Sequence, residues 1–183
     1  MIVGLCGFAG AGKGAVAEYL GSKGFSHYSV KSVIREELER RGMAVTRDNL
    51  IMMANTLRAD GGSDVLIQRI LRKMPGEGLA VIESLRNPDE VAALRQRKDF
   101  VLLALDAPVP VRLRRLAARG RAGDPMTPEE LRRLDEREAA DPSKSGIRIK
   151  ECMALADVLI INDSTLAQLH LQIDDALRRA GKR

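Results

Sequence analysis

The sequence predicts an α/β fold, a three-layer α/β/α sandwich around a five-stranded parallel sheet. Three observations predict it. Short, continuous apolar runs alternate with longer amphipathic stretches, the mark of parallel strands buried on both faces by helices. A glycine-rich turn joins the first such run to the first amphipathic stretch. Composition is that of an ordinary globular chain: 183 residues, 45% hydrophobic and 30% charged, which suits one compact domain.

The first strand is expected at residues 2–6, and a helix over 13–20 follows the glycines, with Val16 and Leu20 one turn apart and Gly21 and Gly24 ending it. A second strand is expected at 25–30, then three helical segments at 32–41, 49–58 and 63–73. The third strand is read at 79–82, followed by a turn at Asn87-Pro88 and a helix over 89–97. The fourth, at 100–105, runs into Asp106-Ala107-Pro108, which signals a helix start for 109–118. A polar loop at 119–128 precedes a charged helix to residue 140, and the last strand at 158–161 leads into a helix over 165–179. No repeat or linker divides the chain, so a single domain over 1–183 is expected.

The apolar runs are far shorter than the ~20 residues of a membrane helix, and the N-terminus lacks the basic segment of a secretory signal. Cys6 and Cys152 are too few for a disulfide framework or zinc cluster. A cytoplasmic chain with no membrane partner is expected. The formal net charge is +5, and 22 of the 30 basic residues are arginines, whose planar forks match phosphate oxygens in pairs. The same count is met by solvated helix faces. With only five aromatics and none interleaved with the basic residues, a nucleic-acid surface is disfavoured.

The chemistry is concentrated in Gly7-Phe8-Ala9-Gly10-Ala11-Gly12-Lys13-Gly14, which meets G-x-x-x-x-G-K between a strand and a helix. Glycines let backbone N–H groups approach phosphate oxygens, and the helix N-terminus favours the anion. The loop is read as a phosphate cradle with Lys13 reaching the outer phosphates, so the fold is that of a P-loop NTPase. The hydroxyl that normally follows the lysine and ligates Mg²⁺ is missing, because Gly14 and Ala15 stand there. A carboxylate ending a neighbouring strand is then needed. Glu83 is the candidate; Asp106 competes, although Pro108 points it to a helix N-cap.

The chain resembles the nucleoside-monophosphate-kinase-like branch of P-loop kinases. That branch is related to adenylate kinase and more distantly to dephospho-CoA kinase, and the match is nearest to the small kinase-like proteins found alone or joined to deoxycytidylate deaminase modules. The resemblance rests on the loop with Lys13-Gly14, on Val33-Ile34-Arg35-Glu36-Glu37 and on Ile82-Glu83-Ser84-Leu85-Arg86-Asn87-Pro88. It continues through Arg119-Gly120-Arg121, Leu134-Asp135-Glu136-Arg137-Glu138 and Asn162-Asp163-Ser164-Thr165.

The resemblance implies an ATP- and Mg²⁺-dependent phosphotransferase acting on a small nucleotide, with a helical acceptor-binding insert at about 31–75 and a lid at about 119–146. Gly7, Gly10, Ala11, Gly12, Lys13, Gly14 and Ala15 would hold the donor triphosphate, with Asn162, Ser164 and Thr165 beside its adenine. Arg35, Ser32 and Arg86 would hold the acceptor, and Arg119, Arg121 and Arg137 would close over the transferring group. Glu83 would support the metal through water. Arg119 and Arg121 also suit a solvated helix end, and Arg35 an i, i+4 pair with Glu39. Three departures accompany the resemblance: no hydroxyl at 14 or 15, Glu in place of the usual Asp at 83, and Ser32 where relatives carry Asp. The alternatives are a dephospho-CoA kinase-like enzyme and a nucleotide-binding regulator. Cys6 is read as a core thiol, and His27, His170, Met52 and Met53 as structural or surface residues.

Overall fold

The computed structural model describes residues 1–76, 78–140 and 146–180. Five strands form one parallel sheet in the order β2-β3-β1-β4-β5: β1 Ile2–Cys6, β2 Ser26–Ser29, β3 Ala80–Leu85, β4 Phe100–Asp106 and β5 Val158–Ile161. The central strands β1 and β4 are buried almost throughout, whereas the edge strands β2 and β5 are partly exposed. The central strands accordingly read as unbroken apolar runs and the edge strand β2, Ser-His-Tyr-Ser, does not, although the edge strand β5 is apolar throughout.

Alternation along β1 divides the core. Ile2 and Cys6 face one layer and Val3 and Leu5 the other. On the second face lie α1 (Lys13–Ser22) and α9 (Leu166–Ala180), through Val16, Leu20, Leu169 and Ile173. The first is covered by α2 (Val30–Arg40), α3 (Arg47–Gly61), α4 (Val65–Lys73), α5 (Pro88–Leu94) and α8 (Ile149–Ala154). Beyond the sheet's carboxyl edge, α6 (Val109–Arg119) and α7 (Pro128–Ala139) meet through Leu116, Leu131 and Leu134. The expected lid of 119–146 therefore contains all of α7, while its residues 141–145 lie outside the described residues.

Several boundaries differ from expectation for local reasons. Gly21 stays inside α1, and the chain turns at Gly24, whose φ is +89°. β2 ends at Ser29 because Val30 already begins α2. Asp106 is not the N-cap of α6. It closes β4, accepts from the Ala107 N–H at 2.8 Å, and leaves the cap to Pro108. Helix α8, too short for a clear apolar period, was not foreseen. Glu83 does not end its strand: β3 continues to Leu85 across an irregularity in which Gly4 pairs with Ile82 and Cys6 with Leu85, so Glu83 and Ser84 together face Leu5. The extra residue is a β-bulge. No helix among the described residues is long and apolar enough to cross a membrane.

Candidate active site

The glycine loop leaves β1 at its carboxyl end, and backbone crowding dictates its shape. Gly7 has φ +135°, and a Cβ there would lie 2.1 Å from the Leu105 carbonyl oxygen; Gly12, at φ +103°, would bring one to 2.1 Å from Asn162 Nδ2. Both positions thus need glycine. Helix α1 starts at Lys13 with no side-chain cap on its first amides, which leaves donors and a positive dipole end for an anion. Lys13 Nζ donates to the carbonyls of Gly7 at 2.6 Å and Phe8 at 2.9 Å. Burial, then the nearby Arg86 guanidinium, lowers its pKa to about 8. Cys6, behind the loop, is fully buried, and burial pushes its thiol up to about 12. It belongs to the core, as expected.

A cleft of about 510 Å³ opens above this loop. Gly10, Gly12, Lys13, Gly14 and Ala15 form one wall; Lys31, Arg35, Arg47 and Arg58 from α2 and α3 face them. Glu83, Ser84 and Arg86 come from the end of β3 and the turn after it, Arg115, Arg119 and Arg121 from α6 and its following turn, and Glu138 from α7. Five predicted cations, Lys13, Arg35, Arg86, Arg119 and Arg121, thus share one cavity.

Their present partners differ. Arg86 donates to Glu138 at 2.7 Å, and Arg119 donates to both carboxylate oxygens of Asp124 at 2.7 and 2.9 Å. Lys31, Arg35 and Arg121 have no side-chain hydrogen bond or ion pair among the described residues; the expected Arg35–Glu39 pair is not formed. Partial desolvation and then the positive field of Arg121, Arg35, Arg86 and Arg119 lower the pKa of Lys31. Such a cluster of like charges is unfavourable until an anion enters it.

Other expected site residues stand elsewhere. Ser32 is exposed and does not line the cleft, because the first turn of α2 presents Lys31 there instead. Arg137 is exposed and outside the lining, while its neighbour Glu138 is buried. The inward period of α7 runs Leu131, Leu134, Glu138, so counting i, i+3, i+7 from the leucines would have found the glutamate. Asn162 is buried and clamps the loop: Nδ2 donates to the Ala11 carbonyl at 2.9 Å, and Oδ1 and its own carbonyl accept from Arg115 at 3.1 and 3.0 Å. Ser164 and Thr165 lie outside the cleft lining; Thr165 Oγ1 instead accepts from the Gln168 N–H at the start of α9. Gly7 and Ala11 act through their carbonyls, on Lys13 and Asn162.

The cleft fits a triphosphate, with uncapped amides, Lys13 and further cations converging on open space at Gly14, where an added Cβ would meet nothing within 4 Å. Among the described residues no group of three or more His, Cys, Asp or Glu could hold a metal ion alone. A Mg²⁺ ion arriving with the nucleotide fits if phosphate oxygens and water supply most of its shell and Glu83, whose charge reaches Lys13, supports it. Glu83 Oε1 lies 3.6 Å from His27 Nε2.

The family described as an AAA domain matches residues 3–141. A UPF0200 protein of Hyperthermus butylicus is 31% identical over 181 residues, covering 98% of this chain and 94% of the relative. Another from Pyrococcus horikoshii is 33% identical over 186 residues, covering 98% and 97%. The chain belongs to the AAA domain family and to the UPF0200 family. Its backbone is similar to TT1252 from Thermus thermophilus, with TM-score 0.62 at 20% identity over 98% and 97% of the two chains. The shikimate kinase of Aquifex aeolicus follows at TM-score 0.58 and 17% identity, over 99% and 98%. A gluconokinase of Sinorhizobium meliloti has TM-score 0.58 at 16% identity, over 97% and 91%. These likenesses establish a P-loop kinase-like fold for this UPF0200 chain and no narrower branch of it.

The lowered pKa of Lys13 carries a prediction. A triphosphate uses the protonated ammonium and raises its pKa on binding, so donor affinity should decline as pH rises through about 8. Titration with a fluorescent ATP analogue from about pH 6.5 to 9.5 checks this. Affinity that climbs across the upper half of that range would contradict the placement of Lys13.

Proposed function

We propose that this UPF0200 protein is an ATP- and Mg²⁺-dependent phosphotransferase, acting in the cytoplasm on a small phosphate-bearing acceptor of the (deoxy)nucleoside monophosphate class. The observation that carries this reading is the cation group on the acceptor side of the cleft. Among the described residues, Lys31, Arg35 and Arg121 stand without anionic partners beside Arg86 and Arg119.

An alcohol acceptor, as in a dephospho-CoA kinase-like enzyme, must give its proton to a base as it attacks. An acceptor phosphate is already ionised and asks instead for neutralising charge, which these side chains supply. In the reaction proposed, an acceptor phosphate oxygen forms a bond to the terminal phosphorus of ATP. The bond to the β–γ bridging oxygen breaks, and ADP leaves with that electron pair. Lys13 and the first amides of α1 stabilise the charge on the donor side, Arg35, Arg86 and Lys31 hold the acceptor, and Arg119 and Arg121 cover the group in transit.

The bare positions 14 and 15 favour a second reading, a nucleotide-binding regulator without turnover. Coupled assays of the purified protein with ATP, Mg²⁺ and each common NMP, dNMP and dephospho-CoA separate the three. Turnover of a monophosphate supports the proposal; phosphorylation of dephospho-CoA alone, or tight ATP binding with no acceptor used, contradicts it. Within the proposal, Arg86→Ala should weaken acceptor use by about 1.5–3 kcal/mol, roughly 10- to 150-fold in kcat/KM, while ATP affinity changes little. Equal losses for both substrates would show that Arg86 does not face the acceptor.

A further inference from the structure

The loop has no hydroxyl after Lys13, yet one hydroxyl side chain lines the same cleft among the described residues: Ser84. Its backbone is unusual. Ser84 has φ +66° and is the single non-glycine residue with positive φ among the described residues. It owes this conformation to the bulge in β3, where Glu83 and Ser84 span one position of β1. In a regular strand two successive side chains point to opposite faces; here both Glu83 and Ser84 line the cleft. Bulges next to active sites commonly re-aim side chains in this way.

If only the turn mattered, glycine would suit it with less strain. The chain places serine there, and the Ser84 hydroxyl has no hydrogen-bond partner among the described residues. Register puts the pair at the root of the phosphate loop, opposite Leu5 and two residues from Gly7. A strained, unpartnered hydroxyl thus sits beside the carboxylate expected to support the metal, in a protein whose loop lacks its own.

We propose that Ser84 supplies the hydroxyl that the phosphate loop lacks, as a ligand for the divalent cation that accompanies the bound triphosphate, with Glu83 supporting the same cation. The assignment rests on the phosphotransferase reading and moves a loop function onto the neighbouring strand. Position 14 itself is a glycine with open space around it among the described residues.

The test measures Mn²⁺ affinity by electron paramagnetic resonance, with the full chain saturated by a non-hydrolysable ATP analogue. Ser84→Gly removes the hydroxyl and suits the positive φ, so the variant should fold at least as stably as the parent. Its Mn²⁺ affinity should fall about 10- to 100-fold, while metal-free affinity for the analogue stays the same. Adding Gly14→Ser, which the open space accommodates, should restore Mn²⁺ binding. Unchanged Mn²⁺ affinity in Ser84→Gly overturns the proposal, as does a loss that Gly14→Ser fails to recover in a folded double variant. A variant that weakens acceptor binding alone overturns it too, by assigning the hydroxyl to the acceptor. Failure of the parent protein to bind the analogue at all would instead overturn the phosphotransferase reading.

Discussion

Lys13→Ala is expected to lower turnover by about a thousandfold or more, equivalent to roughly 4 kcal/mol of transition-state stabilisation. The ammonium is partly buried at the root of the loop, and in the donor role proposed its charge acts through a poorly screened environment on phosphates held at the α1 amides. Removing it also frees the carbonyls of Gly7 and Phe8, so the loop loses an internal tether. Burial already disfavours the charged lysine in the unliganded protein, as its pKa of about 8 shows. The variant should therefore lose catalysis without a comparable loss of fold. Steady-state rates beside a thermal melt check both halves, and a variant with the parent rate would remove the donor site from this loop.

Glu90→Ala should destabilise the fold by about 3–5 kcal/mol. Glu90 is fully buried, accepts from Arg58 Nη2 at 2.7 Å, and takes the backbone N–H groups of Arg86 at 3.0 Å and Asn87 at 3.2 Å. Truncation removes the buried carboxylate that accepts from Arg58 and breaks the capping box that starts α5. Because Glu90 holds the backbone of Arg86, the variant should also raise the KM for the acceptor more than that for ATP. Glu90→Gln keeps an oxygen for these donors and should lose less. Urea unfolding measures the cost; a loss below about 1 kcal/mol would show that the pair adds little beyond a hydrophobic replacement.

The layered fold was legible because its central strands are buried on both faces and so read as unbroken apolar runs, and because Gly7, Gly12 and Lys13 declare the loop in sequence. The cleft was legible where a cation follows a strand, as Arg86 does, or sits at a helix end and in the glycine-rich turn after it, as Arg119 and Arg121 do. It was not legible where helix phase decides which neighbour faces inward. Lys31 and Ser32 are adjacent in sequence, as are Arg137 and Glu138; a shift of about 100° per residue moves a side chain from solvent into the cleft. The resemblance puts Asn162 beside the adenine; that its amide also reaches back over 151 residues to the Ala11 carbonyl is a contact with no local signature. The bulge at Glu83 and Ser84 is equally silent, because one extra residue in a parallel pair leaves no periodicity to detect.

Phosphorus NMR of the protein with ATP, Mg²⁺ and a panel of nucleoside monophosphates tests the central claim most directly. The γ-phosphate resonance of ATP should decay as ADP and the diphosphate of one acceptor appear in equal amounts. If ATP stays intact with every monophosphate although it binds, or if the phosphoryl group arrives only on a hydroxyl, the cation cluster does not serve the transfer described.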